Sequence, residues 1–153
     1  MKTIDIIDIK EITIEKLTES DLDEVVKIEK DTFAKPWSKT DFINELQFSF
    51  SRFYIVKYKN KIIGYGGYRV FEDTAEIVNI AISKDFRRKS IGKKLLEFLI
   101  NEIKDEKIKK IYLEVKEDNI PAINLYTNFR FKIIYRRRNY YGNKDAFVME
   151  KDL

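Results

Sequence analysis

With neither histidine nor cysteine among its 153 residues, this chain must run any acid–base chemistry on carboxylates, tyrosines, lysines or serines. The same absence removes disulfides, thiolate metal sites, a cysteine nucleophile and an imidazole base. Positive charge, by contrast, is concentrated. Lys84, Arg87, Arg88, Lys89, Lys93 and Lys94 crowd into one short run, although the formal net charge is only +4. The segment from Ala75 to Leu96, AEIVNIAISKDFRRKSIGKKLL, passes from an apolar stretch through basic residues into an amphipathic pattern that begins near Gly92. A helix starting there presents unpaired N–H groups and about half a positive charge at its first turn. With arginines and lysines beside it, that junction suits a phosphate or pyrophosphate, while a solvated basic connection would have the same composition.

The elements that must hold this junction can be read from periodicity. Ile9, Ile12 and Ile14 suggest an opening strand, and Thr18 with Asp21 has capping-box spacing ahead of Leu22, Val25, Val26 and Ile28. Pro36 interrupts the chain, after which Ser38 and Asp41 repeat the cap before Phe42, Ile43 and Leu46. Phe53 to Lys59 and Ile62 to Phe71 read as a hairpin turning at Asn60, followed by a strand from Ala75 to Ile82. Ile91, Leu95, Leu99 and Ile103 recur every four residues, widened by Leu96 and Phe98, which is the stripe of an amphipathic helix. Ile111, Leu113 and Val115 alternate within Lys110 to Lys116, and Asn119 with Pro121 opens a helix through Leu125 and Tyr126. Phe131 to Asn139 and Ala146 to Met149 close the chain as a strand pair. The order is β α α β β β α β α β β, a mixed α/β sheet in one domain spanning 1–153. No apolar run reaches the roughly 20 residues of a membrane span. Met1 to Lys10 mixes Asp and Lys with Ile, unlike a secretory signal, so a cytoplasmic location is expected.

Arg87-Arg88-Lys89-Ser90-Ile91-Gly92 resembles the signature Arg/Gln-x-x-Gly-x-Gly/Ala of the GNAT acetyltransferase superfamily, departing from it at Ser90. A second block resembles the same superfamily: Leu113-Glu114-Val115, then Asn119, then Ala122-Ile123-Asn124-Leu125-Tyr126 and Phe131, with Arg130 where the family has Gly. Pro36-Trp37-Ser38, the run Arg137-Arg138-Asn139-Tyr140-Tyr141 and Asp145-Ala146 are similar to the branch that acetylates the N-terminal alanine of a ribosomal protein. The resemblance spans about Leu22 to Met149. It implies the GNAT fold, a mostly antiparallel twisted sheet of about six or seven strands flanked by about four helices. It also implies acetyl-CoA as co-substrate, without a metal. The pantetheine arm would lie against the backbone of Ile80, Ala81 and Ile82. Arg88, Lys89, Ser90, Ile91, Gly92 and Lys93 would meet the pyrophosphate, and Asn119 would touch the cofactor.

On the same resemblance Glu114 is the general base and Tyr126 the general acid. Glu76 competes for the first role, because Ala75-Glu76-Ile77-Val78 looks like the strand that carries the base in the histone-acetyltransferase branch. Either carboxylate can order a water that takes the amine's proton. An α-amine has a pKa of about 8 and a lysine about 10.4, so neutralising them at pH 7 costs roughly 1.4 and 4.6 kcal/mol. A protein N-terminus therefore asks little of its base. With no cysteine to hold an acetyl group, direct transfer in a ternary complex is expected. The implied partner is a ribosomal-protein N-terminus, with no membrane and no specific nucleic acid. Two other readings are open: a GNAT enzyme for a small amine or polyamine, and a weakly active module whose basic turn binds RNA. A peptide groove along Tyr140 and Tyr141 would separate the first from the second, and salt-sensitive RNA binding without acetyl-CoA binding would mark the third.

Overall fold

In a computed structural model that describes residues 7–88, 90–141 and 144–153, and only the backbone of Tyr140 and Tyr141, the expected order of elements is realised. It runs β1 (Ile12–Lys16), α1 (Leu22–Thr32), α2 (Lys39–Leu46), β2 (Ser51–Tyr58), β3 (Lys61–Phe71), β4 (Thr74–Ile82), α3 (Ile91–Lys104), β5 (Lys110–Lys116), α4 (Ile120–Asn128), β6 (Lys132–Tyr141) and β7 (Lys144–Asp152). Among the described residues this gives four α-helices and one seven-stranded sheet in the order β1-β2-β3-β4-β5-β7-β6. The sheet is mixed: β4 runs parallel to β5, whereas β1 with β2, β5 with β7 and β6 with β7 are antiparallel. Ile9 does not extend the first strand, because Ile9–Glu11 coils into a 3₁₀ turn whose Lys10 N–H bonds the Asp8 side chain. No described helix is long and apolar enough to cross a membrane.

Local chemistry accounts for the boundaries. Ser38 and Asp41 exchange bonds at the start of α2, Ser38 N to Asp41 Oδ2 at 2.8 Å and Asp41 N to Ser38 Oγ at 3.1 Å, which satisfies two N–H groups that a helix start leaves unpaired. Lys59 and Asn60 both take positive φ, 50° and 65°, the backbone of a two-residue hairpin turn whose twist matches its strands.

The chain divides into two compact units, one of Met1–Tyr68 with Asn79–Ile100 and one of Arg69–Val78 with Asn101–Leu153. In the first, Phe42 meets Tyr65 edge-on at 5.6 Å and Phe53 at 6.4 Å, and Trp37 joins them 5.1 Å from Phe42. Tyr54 packs edge-on against Phe98 of α3 at 4.9 Å. Leu95 and Leu99 are fully buried, each such side chain contributing roughly 1.5–3 kcal/mol of hydrophobic stabilisation. In the second unit the buried partners are Ile111, Leu113 and Val115 of β5, Ala146 and Met149 of β7, and Phe131.

Candidate active site

In the first unit the sequence-predicted cofactor residues sit on the end of β4 and the turn that follows. Ala81 is buried, and Ile80 and Ile82 are half-buried. Gly64 on β3 lets that strand approach closely, since a Cβ there would lie 2.9 Å from Ala81 O and 2.7 Å from Ile82 Cδ1. Ser83 N donates to Ile63 O at 2.7 Å, and Phe86, buried within a 3₁₀ turn, packs 6.1 Å from Tyr58. The basic cluster then separates by role. Arg87 donates from Nε to Ile82 O at 2.9 Å and from Nη2 to Thr32 Oγ1 at 3.2 Å, so it ties the end of β4 to the last turn of α1. Lys94 Nζ donates to Ile9 O at 2.9 Å. Arg88 and Lys93 are exposed beside the start of α3, while Lys89 lies outside the described residues. Among the described residues the helix ladder begins with Lys94 N to Ser90 O at 3.1 Å, with the N–H groups of Ile91, Gly92 and Lys93 ahead of it, where an anion site at a helix start lies. Arg88 and Ser90 have φ of 60° and 64°, so the position where the signature has Gly is left-handed here too.

The second unit carries Glu114, Asn119 and Tyr126. Along β5 the alternation buries Ile111, Leu113 and Val115 and leaves Tyr112, Glu114 and Lys116 half-open. Glu114 Oε1 pairs with Arg137 Nε of β6 at 3.0 Å. Glu76 on β4 is exposed and opposite Tyr112 in the parallel register, so it lies on the same face as Glu114, one step away on the neighbouring strand. Both candidate bases therefore remain. Asn119 caps α4, its Oδ1 accepting from Ala122 N at 3.3 Å. Tyr126 is half-buried with its ring 5.8 Å from Phe131. Arg130, at φ 73°, closes the helix: Arg130 N bonds Thr127 O at 3.0 Å and Phe131 N bonds Tyr126 O at 3.1 Å. This is the left-handed helix ending that usually takes Gly, and it forms despite the arginine. Lys151 Nζ donates to Phe129 O at 2.7 Å. Burial, then the charges of Lys104 and Arg130, hold its amine below the usual lysine range.

Sequence reading missed a buried polar cluster in the first unit. Glu29, only 2% exposed, accepts from Trp37 N at 2.9 Å, from the Tyr65 hydroxyl, and from Asn79 Nδ2 at 3.4 Å. Burial raises its carboxyl above the ordinary glutamate range, with the Trp37 N–H pulling the other way. The available signal was its place seven residues after Leu22 and four after Val25, on the apolar stripe of α1.

A model of the acetyltransferase (GNAT) family matches residues 22–131. The chain belongs to the GNAT family. It is an acetyl-CoA-dependent N-acetyltransferase, and both signature blocks lie within the matched span. Among its relatives, the [ribosomal protein bS18]-alanine N-acetyltransferase of Escherichia coli K12 is 33% identical over 141 residues, covering 90% of this chain and 95% of that one. A putative enzyme of the same name from Bacillus subtilis 168 is 33% identical over 132 residues, covering 84% and 87%. The crystal structure of the Escherichia coli ribosomal-protein-S18-alanine N-acetyltransferase superposes with a TM-score of 0.86 at 32% identity, covering 92% of this chain and 93% of that one. The fold shared with that crystal structure is the one the resemblance implied.

Proposed function

We propose that this GNAT enzyme acetylates the N-terminal α-amine, an alanine, of the ribosomal protein corresponding to bS18, acting as a single domain in the cytoplasm. The observation that carries the reading is the similarity to bS18-alanine N-acetyltransferases along nearly the whole chain, 90% of this one and 95% of the Escherichia coli enzyme. Acetyl-CoA supplies the activated acyl group as a thioester. Exposed Arg88 and Lys93 and the N–H groups of Ile91 and Gly92 supply countercharge and donors for its pyrophosphate, with Ser90 beside them and Lys89 next to it in sequence. The backbone of Ile80, Ala81 and Ile82 holds the pantetheine arm. Asn119, whose Oδ1 caps α4, meets the cofactor from the start of that helix.

Glu114 takes the proton from the α-ammonium through a water, which costs roughly 1.4 kcal/mol at pH 7 for an amine of pKa about 8. The neutral amine attacks, the new N–C bond forms, and as the tetrahedral intermediate collapses the C–S bond breaks and the nitrogen sheds its second proton to water, from which Tyr126 recovers the proton it gives to the sulfur. Tyr126 hydrogen-bonds the departing sulfur and gives it a proton, a role worth about 10² to 10⁴ in rate when combined with the base. The test is intact-mass analysis of N-terminal peptides and polyamines incubated with enzyme and acetyl-CoA. A gain of one acetyl group on an alanine-starting ribosomal peptide, abolished by blocking its α-amine, is the expected result. Acetylation of polyamines in preference to every peptide would replace the substrate assignment and leave the family intact.

A further inference from the structure

We propose that Arg137 is a positioning residue for the reaction, orienting the Glu114 carboxylate from two strands away; this rests on the reading of Glu114 as general base. The sheet register explains how a β6 residue reaches β5. Ala146 of β7 lies opposite Lys116 on one side and Arg137 on the other, and Val148 lies between Glu114 and Tyr135. Residues paired in this way point to one face. Arg137 and Glu114 are thus diagonal across β7, two strand spacings or roughly 9.5 Å apart before any offset. Only a long side chain spans that gap, crossing β7 between Ala146 and Val148. The observed Nε to Oε1 distance of 3.0 Å closes the span.

The neighbouring arginine serves as an internal control. Arg136, opposite Phe147 on the other face, pairs with Glu117 and Asp145, both at 2.7 Å, and so braces the loop after β5 against the start of β7. Arg137 pairs with Glu114. Their side chains are 50% and 25% exposed, and a pair this open to water adds little to folding stability. What it does supply is direction. A glutamate on a strand has several rotamers, and one guanidinium contact on Oε1 selects among them, which leaves Oε2 to accept from the amine or from an ordering water. Positioning of this kind acts on the transition state, because a small displacement of a base from the proton it removes is costly in rate.

The test is a double-mutant cycle of Arg137→Met and Glu114→Gln, read by steady-state acetylation of an N-terminal peptide and by thermal melting. Arg137→Met is expected to lower kcat roughly tenfold with peptide KM changed by less than about threefold, and to leave the melting temperature unchanged. Arg137→Lys recovers only part of the loss, because a lysine keeps the charge without the planar fork. In the Glu114→Gln background, Arg137→Met should cost less than about twofold more, since a residue that acts through Glu114 has nothing left to orient. If Glu114→Gln slows the enzyme but Arg137→Met is silent, or the two losses multiply in full, the positioning role is overturned while the base survives. A silent Glu114→Gln overturns both. Were Arg137→Met to unfold the protein, the pair would be structural and the proposal wrong, a result that Arg137→Gln would check independently.

Discussion

Two carboxylates in this molecule are held in opposite ways. Glu29 is 2% exposed and surrounded by neutral donors, the Trp37 N–H, the Tyr65 hydroxyl and the Asn79 amide. Glu114 stands half-open on a strand face with one arginine on one oxygen. The first has its acceptor capacity occupied by protein and joins α1, the connection to α2, β3 and β4. The second is half-open, and on the proposed reading its other oxygen serves the substrate. Burial marks the carboxylate that shapes the scaffold, and on the proposed reading the half-open Glu114 is the one that moves protons.

The sharpest way to break this contrast is to neutralise each carboxylate. Glu114→Gln should slow acetyl transfer at least about a hundredfold, with the melting temperature unchanged, and Glu76→Gln should cost much less. The reverse ranking in single-turnover assays would move the base to β4. Glu29→Ala should instead act on stability, by roughly 2–3 kcal/mol, because it strands three donors in a buried place. At about 2–4 °C per kcal/mol for a chain of this size, differential scanning calorimetry would resolve it.

The pH dependence gives the same comparison a sign. Because burial raises the Glu29 carboxyl above 4.5, the folded chain holds this proton more tightly than the unfolded chain does. Its contribution is therefore full below pH 4.5 and is lost as pH rises through the higher folded value. Relative to Glu29→Gln, the parent should lose stability as pH climbs from 4.5, and a parallel pair of melting curves would contradict the burial argument.

Tyr126→Phe removes a hydroxyl and keeps the ring against Phe131. Single-turnover rates at saturating acetyl-CoA should fall about tenfold, or roughly 1.4 kcal/mol, and an unchanged rate would leave Tyr126 as a packing residue. The smallest effects belong to the left-handed positions. Ser90→Gly and Arg130→Gly should each relieve up to about 1 kcal/mol of backbone cost, the first as tighter acetyl-CoA binding by calorimetry and the second as a higher melting temperature. Weaker cofactor binding in Ser90→Gly would mean that the hydroxyl itself contributes.

Much of the fold was legible because its signals are local. The caps at Ser38 and Asn119, the β5 alternation and the four-residue stripe of α3 all stand where periodicity put them. Glu29 was not legible, because a charged residue on an apolar stripe looks like a lapse in the pattern until Tyr65 and Asn79 are brought to it from 36 and 50 residues away. The pairing of Arg137 with Glu114 was not legible for another reason. Register shifts between Ile133 and Tyr135 and between Arg137 and Tyr141 break the period of two, so counting along the strand cannot say which arginine shares a face with Glu114. The signature's departures at Ser90 and Arg130 read as doubts in sequence, and the structure keeps both at positive φ. The side chains of Tyr140 and Tyr141, which were to separate a peptide groove from a closed pocket, lie outside the described residues.

The position of β6 at the end of the sheet bears on how the enzyme survives at high concentration. Ile133, Ile134 and Tyr135 are 50%, 49% and 60% exposed on a strand whose outer edge offers unsatisfied backbone groups, the ingredients of intermolecular strand pairing. Two register shifts bend that edge, and three consecutive arginines follow it. A second copy approaching edge to edge would meet a strand that does not lie flat. An edge strand bent by bulges and followed by charged side chains is a poor template for strand pairing between copies.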